Sequence, residues 1–215
     1  CLKEIAAKYQ QVAVCFGNHD FYSTWRLTVT QEDAIAHMIE AAPKNVIILD
    51  PLANQSFMMD DVRFVGCNGW YNLDDPLGEH AWLTRMNDAR LITWADAGPV
   101  QRAQLHADWL ADGLRKVEED RIVVMTHVAP TKETIDTARY GDVPFNSAYV
   151  NTFMRPLLTE FKDRIKVWCY GHNHTPKDFI CQEGVRLVSE PRGYRNRREG
   201  SDNPPPFDGP KLIEV

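Results

Sequence analysis

Three short apolar runs with β-forming character each break off into a polar, histidine-bearing cluster, and this pattern most constrains the fold. Residues 12–16 run into Gly17-Asn18-His19-Asp20, residues 122–125 into Thr126-His127, and residues 167–170 into Gly171-His172-Asn173-His174. Runs of this length bounded by turn residues read as buried strands. Helical signals fall between them. Leu2, Ile5, Ala6 and Tyr9 recur at helical spacing. Thr30 with Asp33 forms a capping box ahead of Ile35, Met38, Ile39 and Ala42, and Pro43 stops that helix. Further on, Pro99 opens a helix with Leu105, Trp109, Leu110, Leu114 and Val117 on one face. A helix is expected from Ser147, carrying Val150, Phe153, Leu157, Leu158 and Phe161, with Pro156 straining its continuity. Strands are expected at 46–49 and 62–65, a polar and aromatic loop at 66–75, and a hairpin from 179–181 and 185–188. Helix and strand alternate without repeat or linker, which predicts a single α/β domain over residues 1–215.

In such folds the carboxyl ends of neighbouring strands deliver their loops to one crevice, so clusters distant in sequence meet there. Asn18, His127, His172 and His174 would then bring an amide oxygen and imidazole nitrogens together. That donor set suits Mn, Fe, Zn or Co rather than Ca. Gly17 and Gly171 let the backbone turn sharply and approach an ion or a phosphate. His172 and His174, one residue apart in a loop, can diverge toward two neighbouring ions, which suggests a binuclear centre. Two divalent ions ~3.5–4 Å apart can hold a hydroxide, polarise a phosphoryl group and stabilise its leaving oxygen. The chemistry indicated is phosphoester hydrolysis. His19, with Asp20 beside it favouring its imidazolium, would neutralise the transition-state oxyanion or protonate the leaving group.

Charge and cysteine content narrow the classes. Thirty acidic against 24 basic side chains give a formal charge of -6, which argues against a broad nucleic-acid surface and leaves a small phosphoester as the expected substrate. Five scattered cysteines, with no CxxC pair, fit a reducing, cytoplasmic compartment better than a disulfide framework. No apolar run approaches the ~20 residues of a membrane span.

The three clusters, in this order and with Ala129-Pro130 after His127, resemble the third, fourth and fifth motifs of the calcineurin-like metallophosphoesterases. Met86-Asn87-Asp88-Ala89-Arg90-Leu91-Ile92 and Pro191-Arg192-Gly193-Tyr194 resemble a bacterial subgroup of that family. The resemblance implies a four-layer α/β/β/α sandwich, with Asn18, His127 and His172 on one ion, His174 on the other, and His19 catalytic, oriented by Asp20. The family's first two motifs, Asp-x-His and Gly-Asp, supply further ligands and the bridging aspartate; neither precedes Gly17 here. A βαβ unit takes about 30 residues or more, so roughly 40–60 residues carrying those motifs are expected upstream. The present chain is accordingly expected to bind at most one ion, weakly, with little turnover.

Two rival readings stand beside this one. A non-catalytic scaffold of the same fold would bind protein partners, and a mononuclear hydrolase would recruit a carboxylate such as Asp142. Gly141-Asp142 with Asn146 nearby superficially resembles the second motif but follows the fourth and reads as a loop. His37, His80 and His106 are expected on the surface, and the cysteines in the core. Asn68, Trp70, Tyr71 and Asn72 follow a strand end and either shape the pocket or pack. Arg192, Arg195, Arg197 and Arg198 either meet a substrate anion or lie in a solvated tail. Val128 stands where some relatives carry a second histidine.

Overall fold

The structure, a computed structural model, describes residues 2–23, 29–53, 56–94, 97–191 and 211–215. Strands β1 (Val12–Val14) and β2 (Val46–Ile48) pair in parallel. A six-stranded mixed sheet has the order β3 (Ser56–Met59), β4 (Val62–Cys67), β5 (Ile122–Thr126), β6 (Ile165–Cys169), β8 (Arg186–Ser189), β7 (Lys177–Ile180). Its centre, β4-β5-β6-β8, is parallel, and antiparallel hairpins close both edges. Central parallel strands are buried on both faces, which is why 122–125 and 167–170 read as unbroken apolar runs rather than alternating ones.

Each sheet has its own helices. Helices α5 (Pro99–Lys116) and α7 (Arg155–Glu160) share an apolar cluster with Val65, Ile122, Val124, Ile165, Trp168 and Leu187 of the large sheet. The other face of that sheet carries Val62, Val123, Val167 and Val188. Helices α1 (Leu2–Ala6) and α2 (Gln31–Ala41) pack with β1 and β2 in a second cluster, which continues into Trp70, Tyr71 and Trp82 beyond the strand ends. Two sheets with helices on each give the α/β/β/α composition expected from the sequence. Thr30 caps α2 by accepting the Asp33 N–H at 3.1 Å, and Pro99 stands in the first turn of α5.

Several expectations are corrected. The buried face of α5 is Ala103, His106, Ala107, Leu110, Ala111 and Leu114, whereas Leu105 is 60% exposed. Ala103, Ala107 and Ala111 share this inner face with the fully buried Leu110 and Leu114. No continuous helix starts at Ser147: 3-10 turns at Pro144–Tyr149 and Thr152–Met154 precede α7, with Pro156 in the first turn of α7, where its missing N–H costs nothing. Strand β3 and helices α3 (Pro76–Arg85), α4 (Asp88–Leu91) and α6 (Thr137–Tyr140) are additional. Asp75 caps α3 by accepting the Leu77 N–H at 2.7 Å, and Pro76 follows it, an aspartate-proline start signal the sequence does carry. The arginines at 192, 195, 197 and 198 lie outside the described residues, as does Cys1. Among the described residues no helix is long and apolar enough to cross a membrane.

Candidate metal centre and cleft

The loops after β1, β4, β5 and β6 are tied to one another at the strand ends by main-chain bonds. The Asn68 carbonyl accepts the N–H groups of His127 (3.0 Å) and Val128 (2.9 Å), and the Gly171 N–H donates to the His127 carbonyl at 2.9 Å. The Asn68 side chain donates to the Phe16 carbonyl at 2.8 Å, fastening the β1 loop to the same frame. Asn68 is therefore a scaffold for the site, a role the sequence left open. Trp70 packs in the core, and Val128 is buried there too.

This frame brings Asn18, His127 and His172 together. His127 Nε2 stands 2.8 Å from Asn18 Oδ1, and the His127 and His172 rings are 5.0 Å apart, edge to face. Gly17 and Gly171 clasp the His127 ring. A Cβ on Gly17 would lie 2.9 Å from its Cε1, and one on Gly171 3.2 Å from its Nδ1. The ring thus occupies the space that two side chains would otherwise fill.

His172 is held from both sides. Its Nε2 lies 3.1 Å from the Ala148 carbonyl, which can only accept, so Nε2 carries the proton and Nδ1 keeps its lone pair. Tyr71 stacks on it at 5.8 Å and Tyr149 lies tilted at 5.1 Å. Burial drives the His172 pKa down to about 4, partly offset by the charge of Asp88. Burial, aided by the neighbouring histidines, holds His127 well below the ordinary range as well. Both rings are therefore neutral at pH 7, the state in which imidazole binds a cation. His172 (φ 65) and His174 (φ 50) adopt left-handed backbone. Such conformations cost about 1–3 kcal/mol each in non-glycine residues and gather at functional sites.

His19 and His174 line the cleft beside this cluster. His19 is exposed, and its ring lies 4.5 Å from that of Tyr22. Asp20 accepts the Gly17 N–H at 2.8 Å and so closes the turn that carries Asn18 and His19; burial raises its pKa, opposed by that bond and by the charge of His19. A residue of the Met86–Ile92 stretch, to which the sequence assigned no role, stands behind Asn18. Asp88, fully buried, accepts the Asn18 Nδ2 hydrogens on both oxygens at 2.8 and 2.9 Å, together with Tyr22 Oη at 2.5 Å and Tyr71 Oη at 2.8 Å.

Two of the histidines set aside lie elsewhere than the third. His37 and His80 are exposed. His106 instead is buried at 8% exposure, with Nδ1 accepting the Gly69 N–H at 3.3 Å, and burial lowers its pKa to about 3. It sits one turn from Ala103 and Leu110 on the inner face of α5, so its expected surface place is wrong. Asp142 is exposed and is not among the residues that line the cleft.

The donor set fits a divalent ion in part. Among the described residues no three histidine, cysteine or carboxylate side chains gather into a site on their own. Two neutral imidazoles and an amide oxygen do converge, with the glycine clasp leaving their approach open. From Asn18, His172 and His174 a cleft of about 790 Å³ runs outward between α3 and the Pro144–Tyr149 turn. Leu77, Ala81, Val143 and Phe145 form its apolar wall, and Arg85 stands at its rim. Gly78 sets the closeness of the two walls: a Cβ there would lie 2.2 Å from Ser147 Oγ and 2.5 Å from the Pro144 carbonyl oxygen.

A profile of the calcineurin-like phosphoesterases matches residues 1–176. The chain belongs to that family. Among solved structures it is similar to the phosphopantetheinyl hydrolase of Mycobacterium tuberculosis, with 16% identity, a TM-score of 0.72, and coverage of 88% of this chain and 72% of that one. It is also similar to a dimetal phosphatase from Danio rerio, with 15% identity, a TM-score of 0.50, and coverage of 87% of this chain and 62% of that one. At these identities the likeness establishes the fold. No protein of curated function matches the chain. Family membership makes phosphoester hydrolysis the chemistry in general.

Proposed function

We propose that the protein is a metal-dependent hydrolase of phosphomonoesters or phosphodiesters of small molecules. The observation that carries this reading is the convergence of three strand-end clusters, far apart in sequence, into one set of neutral donors at the head of a cleft. Asn18, His127 and His172 would hold one ion, and His174 would contribute toward a second. Mn, Fe, Zn and Co suit these donors. A divalent ion bound there polarises a phosphoryl oxygen and acidifies water.

The chain's own residues do the rest. His19, exposed at the cleft and packed against Tyr22, stands where its imidazolium can neutralise a developing oxyanion or protonate a leaving alkoxide. Asp20 keeps closed the turn that carries His19. The cleft is far larger than a phosphate, and its apolar wall suits the organic group of the ester. Free Cys15, Cys67, Cys169 and Cys181 suit a reducing, cytoplasmic setting.

The test is hydrolysis of aryl phosphate mono- and diesters with and without Mn²⁺. The low turnover expected of this chain should require the ion, fall with His19→Ala, and vanish with His172→Ala. Metal-independent turnover, or turnover that survives His172→Ala, would refute the reading.

A further inference from the structure

Asp88 is a buried carboxylate with no cationic partner among the described residues; four hydrogen bonds reach it instead, and every one of those donors leads to the site. Asn18 is a proposed ligand. Tyr22, at 2.5 Å, backs the His19 ring. Tyr71, at 2.8 Å, stacks on His172 and itself accepts the Trp82 indole N–H at 2.7 Å. The backbone carbonyl of Asp88 also accepts the Trp94 indole N–H at 3.1 Å, so the carboxylate is fixed from behind.

An asparagine amide has two faces of nearly equal shape and opposite chemistry: the oxygen can bind a cation and the NH₂ cannot. A carboxylate only accepts. By taking Asn18 Nδ2 on both oxygens, Asp88 leaves Asn18 Oδ1 pointing at His127 Nε2. We infer that Asp88 is a positioning residue that locks the Asn18 amide with its oxygen toward the ion site and aligns Tyr22 and Tyr71 behind His19 and His172. The inference rests on the reading of Asn18 as an ion ligand. Partners of this kind, one step behind a ligand, typically change metal affinity by about 10–100-fold when altered.

The substitution Asp88→Asn keeps the shape but replaces one of the two oxygens that accept from Asn18 Nδ2 with an NH₂, which releases the lock and lets the amide turn its NH₂ to the site. Asn18→Asp alone sets two carboxylates face to face. The double variant Asn18→Asp/Asp88→Asn restores a donor–acceptor pair with an oxygen toward His127. Mn²⁺ titration should show each single variant at least about tenfold weaker than the parent, and the double variant recovered. A residue that merely supports the fold would show no such recovery, and equal Mn²⁺ affinity in parent and Asp88→Asn would overturn the inference.

A second measurement needs no ion. In the parent, the side-chain amide protons of Asn18, held on a buried carboxylate, should exchange slowly with D₂O and show nuclear Overhauser contacts to the Tyr22 and Tyr71 rings. Fast exchange without those contacts would overturn the inference whether or not Asp88→Asn folds. If the parent takes up no Mn²⁺ while the amide is held as described, the metal reading fails and the orientation stands.

Discussion

The Gly17→Ala substitution isolates the glycine clasp on His127. The backbone at Gly17 (φ -91, ψ 170) suits any residue, so alanine adds no conformational cost there. The added Cβ would meet the ring along a whole edge, at 2.9 Å from Cε1, 3.1 Å from Nδ1 and 3.2 Å from Nε2. Favourable carbon contacts lie at about 3.5–4.0 Å, so the ring must retreat by about 0.6–1 Å. A shift of that size along the bond stretches the contact of Nε2 with Asn18 Oδ1, now 2.8 Å, to about 3.4–3.8 Å, at or past the limit of a hydrogen bond. Overpacking of this kind costs about 1–3 kcal/mol. A misplacement of about 1 Å in a site can cost on the order of 100-fold in function. Urea unfolding of the ion-free chain and Mn²⁺ titration read the two effects separately. Gly113→Ala serves as control, because nothing lies within 4 Å of a Cβ there, and a helix-interior alanine should stabilise by about 0.5–1 kcal/mol. A Gly17→Ala chain with the parent's unfolding midpoint and Mn²⁺ affinity would refute the clasp.

Two predictions concern buried titrating groups away from the site. Asp50, 2% exposed, caps the Leu52 N–H, and burial raises its pKa to about 6 despite that bond and the Arg102 charge. Its folded pKa exceeds the unfolded one, so stability is lost as pH rises from about 4 through about 6. Asp50→Asn, scored by urea unfolding, should match the parent at pH 4 and gain up to about 3 kcal/mol at pH 8; no gain at pH 8 would contradict it. His106 titrates the other way. Its folded pKa of about 3 lies below the unfolded 6.5, so stability is intact above 6.5 and lost as pH falls toward 3, by at most about 1.4 kcal/mol per pH unit. His106→Asn keeps an oxygen for the Gly69 N–H and should flatten this acid slope, whereas an unchanged slope would count against a neutral buried His106.

The parts of this molecule that were legible in the sequence are those governed by local chemistry. Apolar runs ending in Gly-rich polar clusters gave β1, β5 and β6 and placed Asn18, His127 and His172 at strand ends, because a buried parallel strand needs no alternation and its loop must turn sharply. The Thr30 cap and the Pro99 start also follow from neighbours within four residues. What stayed hidden depends mostly on partners distant in the chain. Asp88 bonds Asn18 across 70 positions, and the Met86–Ile92 stretch that contains it says nothing locally of that role. His106 looked like a surface histidine because the inner face of α5 is drawn by alanines, which contribute little to a hydrophobic pattern. The start of α7 was missed for a nearer reason: Pro156, read as an interruption, sits where a helix begins.

The central claim is that the strand-end clusters form a divalent-cation site. Its most direct test is Mn²⁺ titration of this chain, followed by electron paramagnetic resonance, beside the His127→Ala/His172→Ala double variant. The account predicts saturable uptake by the parent and none by the double variant. No saturable uptake by the parent, or equal uptake by both, would contradict it.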